Sequence, residues 1–150
     1  MNCSPARADD LPEIVITDAA APIDSTELRN AVHEFNFQAT GYRDDRLLAC
    51  FLRNDAGTLI AGIEGFTWGG YARIEYLWVD DTLRGQGIGT QLLVAAEHEA
   101  GQRGCVKVTV DSHSFQAPDF YRSLGYHEVA TTLDTPIGFS DTLFEKLLRA

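Results

Sequence analysis

The sequence predicts a single α/β domain, with helices flanking a mixed, largely antiparallel sheet of about six or seven strands. Three observations predict it. Several short apolar-rich segments, two of which (Glu13–Thr17 and Cys105–Ser112) alternate, are punctuated by glycine-rich turns. Two longer segments repeat apolar residues at helical spacing. The two kinds of segment interleave, which calls for helices on the faces of one sheet, about three or four in number. A chain of 150 residues suits one domain. It can bury roughly 68–70% of its unfolded surface, enough for a core without disulfide or metal staples.

The elements follow in order. Residues 1–12 read as a flexible lead-in, and 13–150 as the folded domain. "EIVIT", Glu13–Thr17, alternates and predicts a first strand. In "DSTELRNAVHEFNFQAT", Asp24 or Ser25 caps a helix whose apolar face carries Leu28, Val32 and Phe35. "RLLACFLR", the turn "NDAG", "TLIAGIEGFTW", the pair Gly69–Gly70 and "YARIEYLWV" predict three antiparallel strands joined by tight turns, the third ending at Val79. Leu92, Leu93, Ala96 and Ala100 then mark one face of a second helix, which Gly104 stops. "CVKVTVDS" predicts a strand with Val106, Val108 and Val110 on one face. Pro118 and Asp119 open a short helix ending at Gly125. "YHEVA" and "TLFEKLL" predict the last two strands.

Composition narrows the partners. Twelve Lys and Arg stand against 22 Asp and Glu, a formal net charge of −10. Such a surface repels phosphate backbones, which argues against nucleic acid as a partner; it attracts cationic small molecules or basic peptides, or serves only to keep the protein in solution. No apolar run approaches the ~20 residues of a membrane span, and the polar N-terminus has no signal-like core. Cys3, Cys50 and Cys105 are widely spaced and form neither a CxxC pair nor a zinc pattern, so free thiols in the cytoplasm and no metal are expected.

The stretch "LRGQGIGTQLL", Leu83–Leu93, carries the chemistry. Three glycines alternate in front of the second helix. A helix start exposes unpaired N–H groups and partial positive charge, and glycines let a ligand approach them. The product is an anion cradle, with Arg84 adding a cation at its mouth or standing as a solvated charge. Spacing discriminates among such cradles. G-x-G-x-x-G counted from Gly85 needs a glycine where Thr90 stands, and a P-loop needs a lysine that is missing.

What stands there, Arg84-Gly85-Gln86-Gly87-Ile88-Gly89, fits R/Q-x-x-G-x-G/A and resembles the acetyl-CoA signature of the GNAT superfamily of N-acetyltransferases. "SFQAPDFYRSLGYHEV" resembles the superfamily's second landmark, A-x-x-F-Y-x-x-x-G-F/Y, with Ala117, Phe120, Tyr121, Gly125 and Tyr126 in register. The resemblance covers residues 13–148 or so and implies a GNAT-type fold. It implies transfer of an acetyl group from acetyl-CoA, as co-substrate, to a primary amine by direct attack. It implies that N–H groups from Gln86 to Thr90 face the pyrophosphate. It places the pantetheine arm along Leu77, Trp78 and Val79, with Ser114, Ala117, Phe120 and Tyr121 completing the cofactor site. Ser114 departs from the pattern, since many members have Asn there. Many members pair as dimers, so a homodimer is compatible with the resemblance.

Two further needs fall on side chains. A protonated alkylamine, pKa near ~10.4, must lose a proton before it attacks. Alternation places Glu75 on a face with Leu77 and Val79, about 13 Å back from Val79 toward the expected acetyl end, which makes it a candidate base. The alternative is an exposed strand carboxylate paired with Arg73; Glu64, His33 and His113 are lesser candidates. Tyr121 matches the superfamily's general-acid Tyr and would protonate the leaving thiolate; the alternative is a core ring packed near Leu124. For the acceptor, Phe35, Phe37, Tyr42, Asp44, Asp45, Trp68, Tyr71 and Phe139 offer aromatic walls and carboxylates suited to a small cationic amine; the alternative is a routine mix of core and surface residues. A regulatory acetyl-CoA-binding module without catalysis, and acetylation of a protein amine, stay open beside that reading.

Overall fold

The computed structural model describes residues 14–19 and 21–148. Two compact units divide the chain, one ending at Gly41 and one beginning at Tyr42.

The first unit contains helix α1, Pro22–Thr40. It starts two residues before the expected cap at Asp24 or Ser25. The N-cap is Ala21, whose carbonyl accepts from the N–H groups of Asp24 and Ser25 at 3.0 and 3.3 Å. A proline in the first turn suits a helix start because the N–H it lacks would have no partner there. Gly41 closes the helix in the left-handed conformation, donating to Phe37 O at 2.7 Å. The strand expected over Glu13–Thr17 does not form at Ile14–Thr17. Alternation chooses which face a residue can bury, but a strand also needs a neighbour's ladder of hydrogen bonds. Glu13 and the lead-in over 1–12 lie outside the described residues.

The second unit is a six-stranded sheet in the order β1-β2-β3-β4-β6-β5. The strands are β1 Arg46–Arg53, β2 Leu59–Trp68, β3 Tyr71–Val79, β4 Lys107–His113, β5 His127–Leu133 and β6 Ser140–Leu147. Every neighbouring pair is antiparallel except β3 and β4. A parallel pair needs a long crossover. Helix α2, Ile88–Gln102, supplies it and packs on β1, β2 and β3. Its buried face is Leu92, Leu93, Ala96 and Ala100, as the spacing predicts. These join Ala61, Ile63, Ala72, Ile74, Val108, Val110 and Phe144 in one core. Helix α3, Pro118–Ser123, adds Tyr121 to that core.

One detail of the predicted β4 face changes. Val106 precedes the strand and is exposed, and its place on the buried face with Val108 and Val110 is taken by Ser112. Val106 N donates to Gly70 O at 2.8 Å, so this residue closes the loop onto the hairpin instead of facing the core.

Candidate active site

The site begins with a defect in pairing. β3 and β4 are hydrogen-bonded only from Tyr71–Lys107 to Ile74–Val110. At that point β3 carries a bulge: Gly65 of β2 faces Ile74, the next residue Glu64 faces Tyr76, and Glu75 is the inserted residue. A bulge bends its strand and sharpens the twist. Gly65 makes this one possible, because a Cβ there would stand 1.9 Å from the Arg73 carbonyl oxygen. From Glu75 to Val79 β3 has no β4 partner, and a groove of about 920 Å³ opens between the two strands.

The bulge corrects the face assigned to Glu75. Strict alternation groups Glu75 with Leu77 and Val79 and puts Ile74 on the other side. In the structure Ile74 and Leu77, opposite Gly65 and Ile63, share the face instead, because the inserted residue resets the period. Glu75 is exposed and lines the groove. It is not paired with Arg73, whose guanidinium is bound to the Asp111 carboxylate across the β3–β4 pair. Among the described residues Glu75 has no ion-pair partner.

The glycine turn forms the groove's far wall. A short 3-10 turn, Asp81–Leu83, follows β3 and is capped by the Asp80 carboxylate, which accepts from the Thr82 hydroxyl and N–H. Those two bonds hold the Asp80 pKa below the usual carboxylate value. Gly85 and Gly87 have φ of +75° and +78°, a region other residues rarely adopt. A side chain at either would meet nothing within 4 Å, so both face open space. Gly87 is the N-cap of α2, and the first N–H bonded inside the helix is Gln91, to Gly87 O at 3.0 Å. Ahead of it, among the described residues, no backbone acceptor takes the N–H groups of Gly85 to Thr90. Aligned with the positive end of α2, they suit a phosphate. Arg84 donates from Nε to Val79 O at 3.1 Å and pairs with Asp81 at 2.7 Å, which fixes it at the groove's edge.

Tyr121 comes from α3 and is 6% exposed. Its ring packs against Phe120, Tyr126 and Phe144 at 5.2, 5.7 and 5.9 Å. It also lines the groove. Burial pushes its phenol up to about 12, so it stays protonated through the neutral range and can donate a hydrogen bond or a proton to an anion. Tyr126 is likewise raised, by burial and then by the Glu97 carboxylate, to which it donates at 2.9 Å. Glu97 is held in turn by Lys146 at 2.8 Å, a cluster that fastens α2 to β6 and to the residue before β5.

Most residues singled out from the sequence meet at this groove. Glu75, Leu77, Trp78, Val79, Arg84, Gly85, Gly87, Ile88, Gly89, Thr90, Ala117, Phe120 and Tyr121 all line it. Gln86 and Ser114 do not. The Gln86 side chain donates to Thr82 O at 3.2 Å. Ser114 lines a separate depression with Asp134 and Phe139, and its hydroxyl accepts from Ser140 N–H at 3.1 Å. Within the second unit the residues considered for an acceptor fall in two places. Tyr42, Asp44, Trp68 and Tyr71 gather at the β2–β3 turn, at the opposite end of β3 from the groove. Phe139 packs on Phe115, a groove residue, at 5.0 Å. Phe35 and Phe37 lie on α1.

Sequence reasoning missed Tyr76, Leu83, Val110, Asp111, Ser112, Phe115 and Gln116 as lining residues. A signal existed for one of them. On the alternating face Val108, Val110, Ser112, a hydroxyl interrupts an apolar row.

Known proteins share this architecture. The family model described as the acetyltransferase (GNAT) family matches residues 15–126. The chain is 31% identical to acetyltransferase Atu2258 of Agrobacterium fabrum over 88% of its own length and 96% of that protein's. It is 35% identical to a blasticidin-S acetyltransferase of Streptomyces morookaense over 67% of its length and 74% of that protein's. A crystal structure of an acetyltransferase from Bacillus cereus superposes with a TM-score of 0.75 at 31% identity, covering 89% of this chain and 98% of that one.

Proposed function

The chain belongs to the GNAT acetyltransferase family, and we propose that it moves an acetyl group from acetyl-CoA to a primary amine of a small cationic acceptor. One observation carries the reading: the groove joins an N–H nest at the start of α2 to a run of β3, Glu75–Val79, that has no β4 partner. The nest suits a diphosphate. The free strand suits an arm with amide groups, which can pair with backbone as an added strand does. Acetyl-CoA supplies an acetyl group activated as a thioester.

The remaining work belongs to this chain's residues. Tyr121, kept protonated by burial, gives its proton to the departing sulfur. Glu75 takes the proton from the incoming ammonium, directly or through water. The backbone N–H near Leu77 polarises the carbonyl under attack. A cationic acceptor is supported by the net charge of −10 and by the groove carboxylate of Glu75, which has no ion-pair partner among the described residues, whereas Asp111 is engaged by Arg73. The exposed Trp78 ring in the lining adds a cation–π surface. The relative named for blasticidin S supports a small antibiotic-like molecule within that class.

The test is thiol release from acetyl-CoA over a panel of amines grouped by charge and size. The account expects turnover that rises from neutral to cationic small amines. Tight acetyl-CoA binding with no thiol release from any amine would replace it with a regulatory module, and release only with peptide amines would move the acceptor to protein.

A further inference from the structure

Ser112 is 2% exposed, and its hydroxyl has no hydrogen-bond partner among the described residues. Leaving a buried hydroxyl unpaired is unfavourable, so folded proteins rarely do it without a reason. The neighbouring hydroxyl does not relieve it. Thr142 stands opposite Ser112 on β6, but its oxygen is engaged with that of Thr131 at 3.0 Å. Ser112 also lines the groove.

Its position along the groove is set by the register. Val110 is the last β4 residue paired with β3, opposite Ile74, and marks the closed end. Ser112 is two residues further, about 7 Å into the opening. Its face is set as well. Val108, Val110 and Ser112 are buried on one side of the sheet, and Phe144 opposite Val110 shares that side. The Tyr121 ring lies on Phe144, so Tyr121 and Ser112 approach the groove from the same side, near its closed end.

We infer that the Ser112 hydroxyl is a further cofactor-binding group, donating a hydrogen bond to a carbonyl oxygen at the acyl end of the arm that enters the groove. The inference rests on the acetyl-CoA reading above. If the phosphate end meets the nest at Gly85–Thr90, the arm runs from there toward Ile74 and Val110, and its acyl terminus arrives beside Ser112 and Tyr121. The hydroxyl without a partner in the free protein thereby finds one in the complex. Removing it therefore acts in opposite senses on the two states: the free fold loses an unfavourable group, and the complex loses a bond.

Calorimetric titrations of the wild type, Ser112→Ala and Ser112→Thr with acetyl-CoA and with ADP, which has a diphosphate and no arm, test this. For Ser112→Ala the expected result is acetyl-CoA affinity lowered about tenfold, equivalent to about 1.4 kcal/mol. ADP affinity should stay within twofold, and the melting temperature of the free protein should be unchanged or higher. Ser112→Thr, which keeps the hydroxyl, should restore most of the acetyl-CoA affinity. Unchanged acetyl-CoA affinity in Ser112→Ala overturns the inference. So does an equal loss for both ligands with a lower melting temperature, which would make the hydroxyl structural. If the wild type binds neither ligand, the acetyl-CoA reading itself falls; binding by the wild type with no effect of Ser112→Ala removes this inference alone.

Discussion

The two halves of β3 meet the same neighbouring strand on different terms. Tyr71–Ile74 pair with β4 residue for residue, while Glu75–Val79 leave β4 and line the groove. The paired half ends in a closed corner. There Trp68 and Tyr71 meet edge to face at 6.1 Å, Trp68 Nε1 donates to Tyr42 O at 3.4 Å, and Gly69 N–H donates to Asp44 at 3.0 Å. The open half ends in the turn at Gly85–Gly87, whose N–H groups have no backbone acceptor among the described residues. An interior strand normally satisfies both its edges. Withholding the pairing over five residues makes an edge inside a sheet, and such an edge is a template for an extended ligand. The inserted residue Glu75 marks the change from one half to the other.

The largest effect should follow from removing the joint between the halves. Gly65→Ala forces a Cβ against the Arg73 carbonyl, and neither backbone can yield without undoing the bulge. Urea denaturation should show a loss of about 3 kcal/mol or more, at the upper end for overpacking. Wild-type stability in that variant would mean that the bulge is not held by this contact. Next is Tyr121→Phe, which keeps the ring on Phe144 and removes the donor at the open half. Turnover should fall about 100-fold, or about 2.7 kcal/mol in the barrier, with acetyl-CoA affinity little changed. An unchanged rate would take Tyr121 out of the chemistry.

The same phenol sharpens the comparison through pH. Folded, Tyr121 keeps its proton to about 12, whereas an unfolded tyrosine loses it near ~10. The unfolded chain releases the proton first, so the stability present below pH 10 is lost as pH rises through 12. The slope is about 1.4 kcal/mol per pH unit for each such tyrosine. Tyr126, also raised, adds to it. Melting temperatures from pH 9 to 11.5 should fall less steeply for Tyr121→Phe than for the wild type; parallel curves would contradict the burial argument. The smallest effect belongs to the closed corner. Asp44→Ala gives up the bond from Gly69 N–H, yet kcat/KM should change less than twofold. A tenfold loss would make the corner part of the site.

Much of this was legible because it depends on short-range pattern. "RLLACFLR" and "YARIEYLWV" are β1 and β3 residue for residue, since short apolar-rich runs bounded by turn signals leave little freedom. The α2 face, Leu92, Leu93, Ala96 and Ala100, follows from a period of 3.6. The glycine turn was legible from chemistry, because positive φ and open approach both ask for glycine. What was hidden depends on pairing between distant segments. The bulge at Glu75 exists only because Gly65 of β2 lets the Arg73 carbonyl come close. Ser114 accepts from Ser140 N–H, 26 residues away in sequence, and lines a depression apart from the groove, a placement that only the β4–β6 pairing sets. Trp68, Tyr71 and Tyr42 had the residue types of an amine pocket, and register carries them to the other end of β3. Ile14–Ile16 have the β-branched residues of a strand, but no partner ladder forms on them.

The central claim is that the open half of β3 and the turn after it grip the cofactor while the paired half does not. Amide resonances of the protein, followed by NMR as CoA is added, test it residue by residue. The account predicts large shifts for Leu77, Val79 and Gly85 to Thr90, with Tyr71 to Ile74 nearly still. Shifts concentrated at Tyr71 to Ile74, or none between Gly85 and Thr90 at saturating CoA, would contradict it.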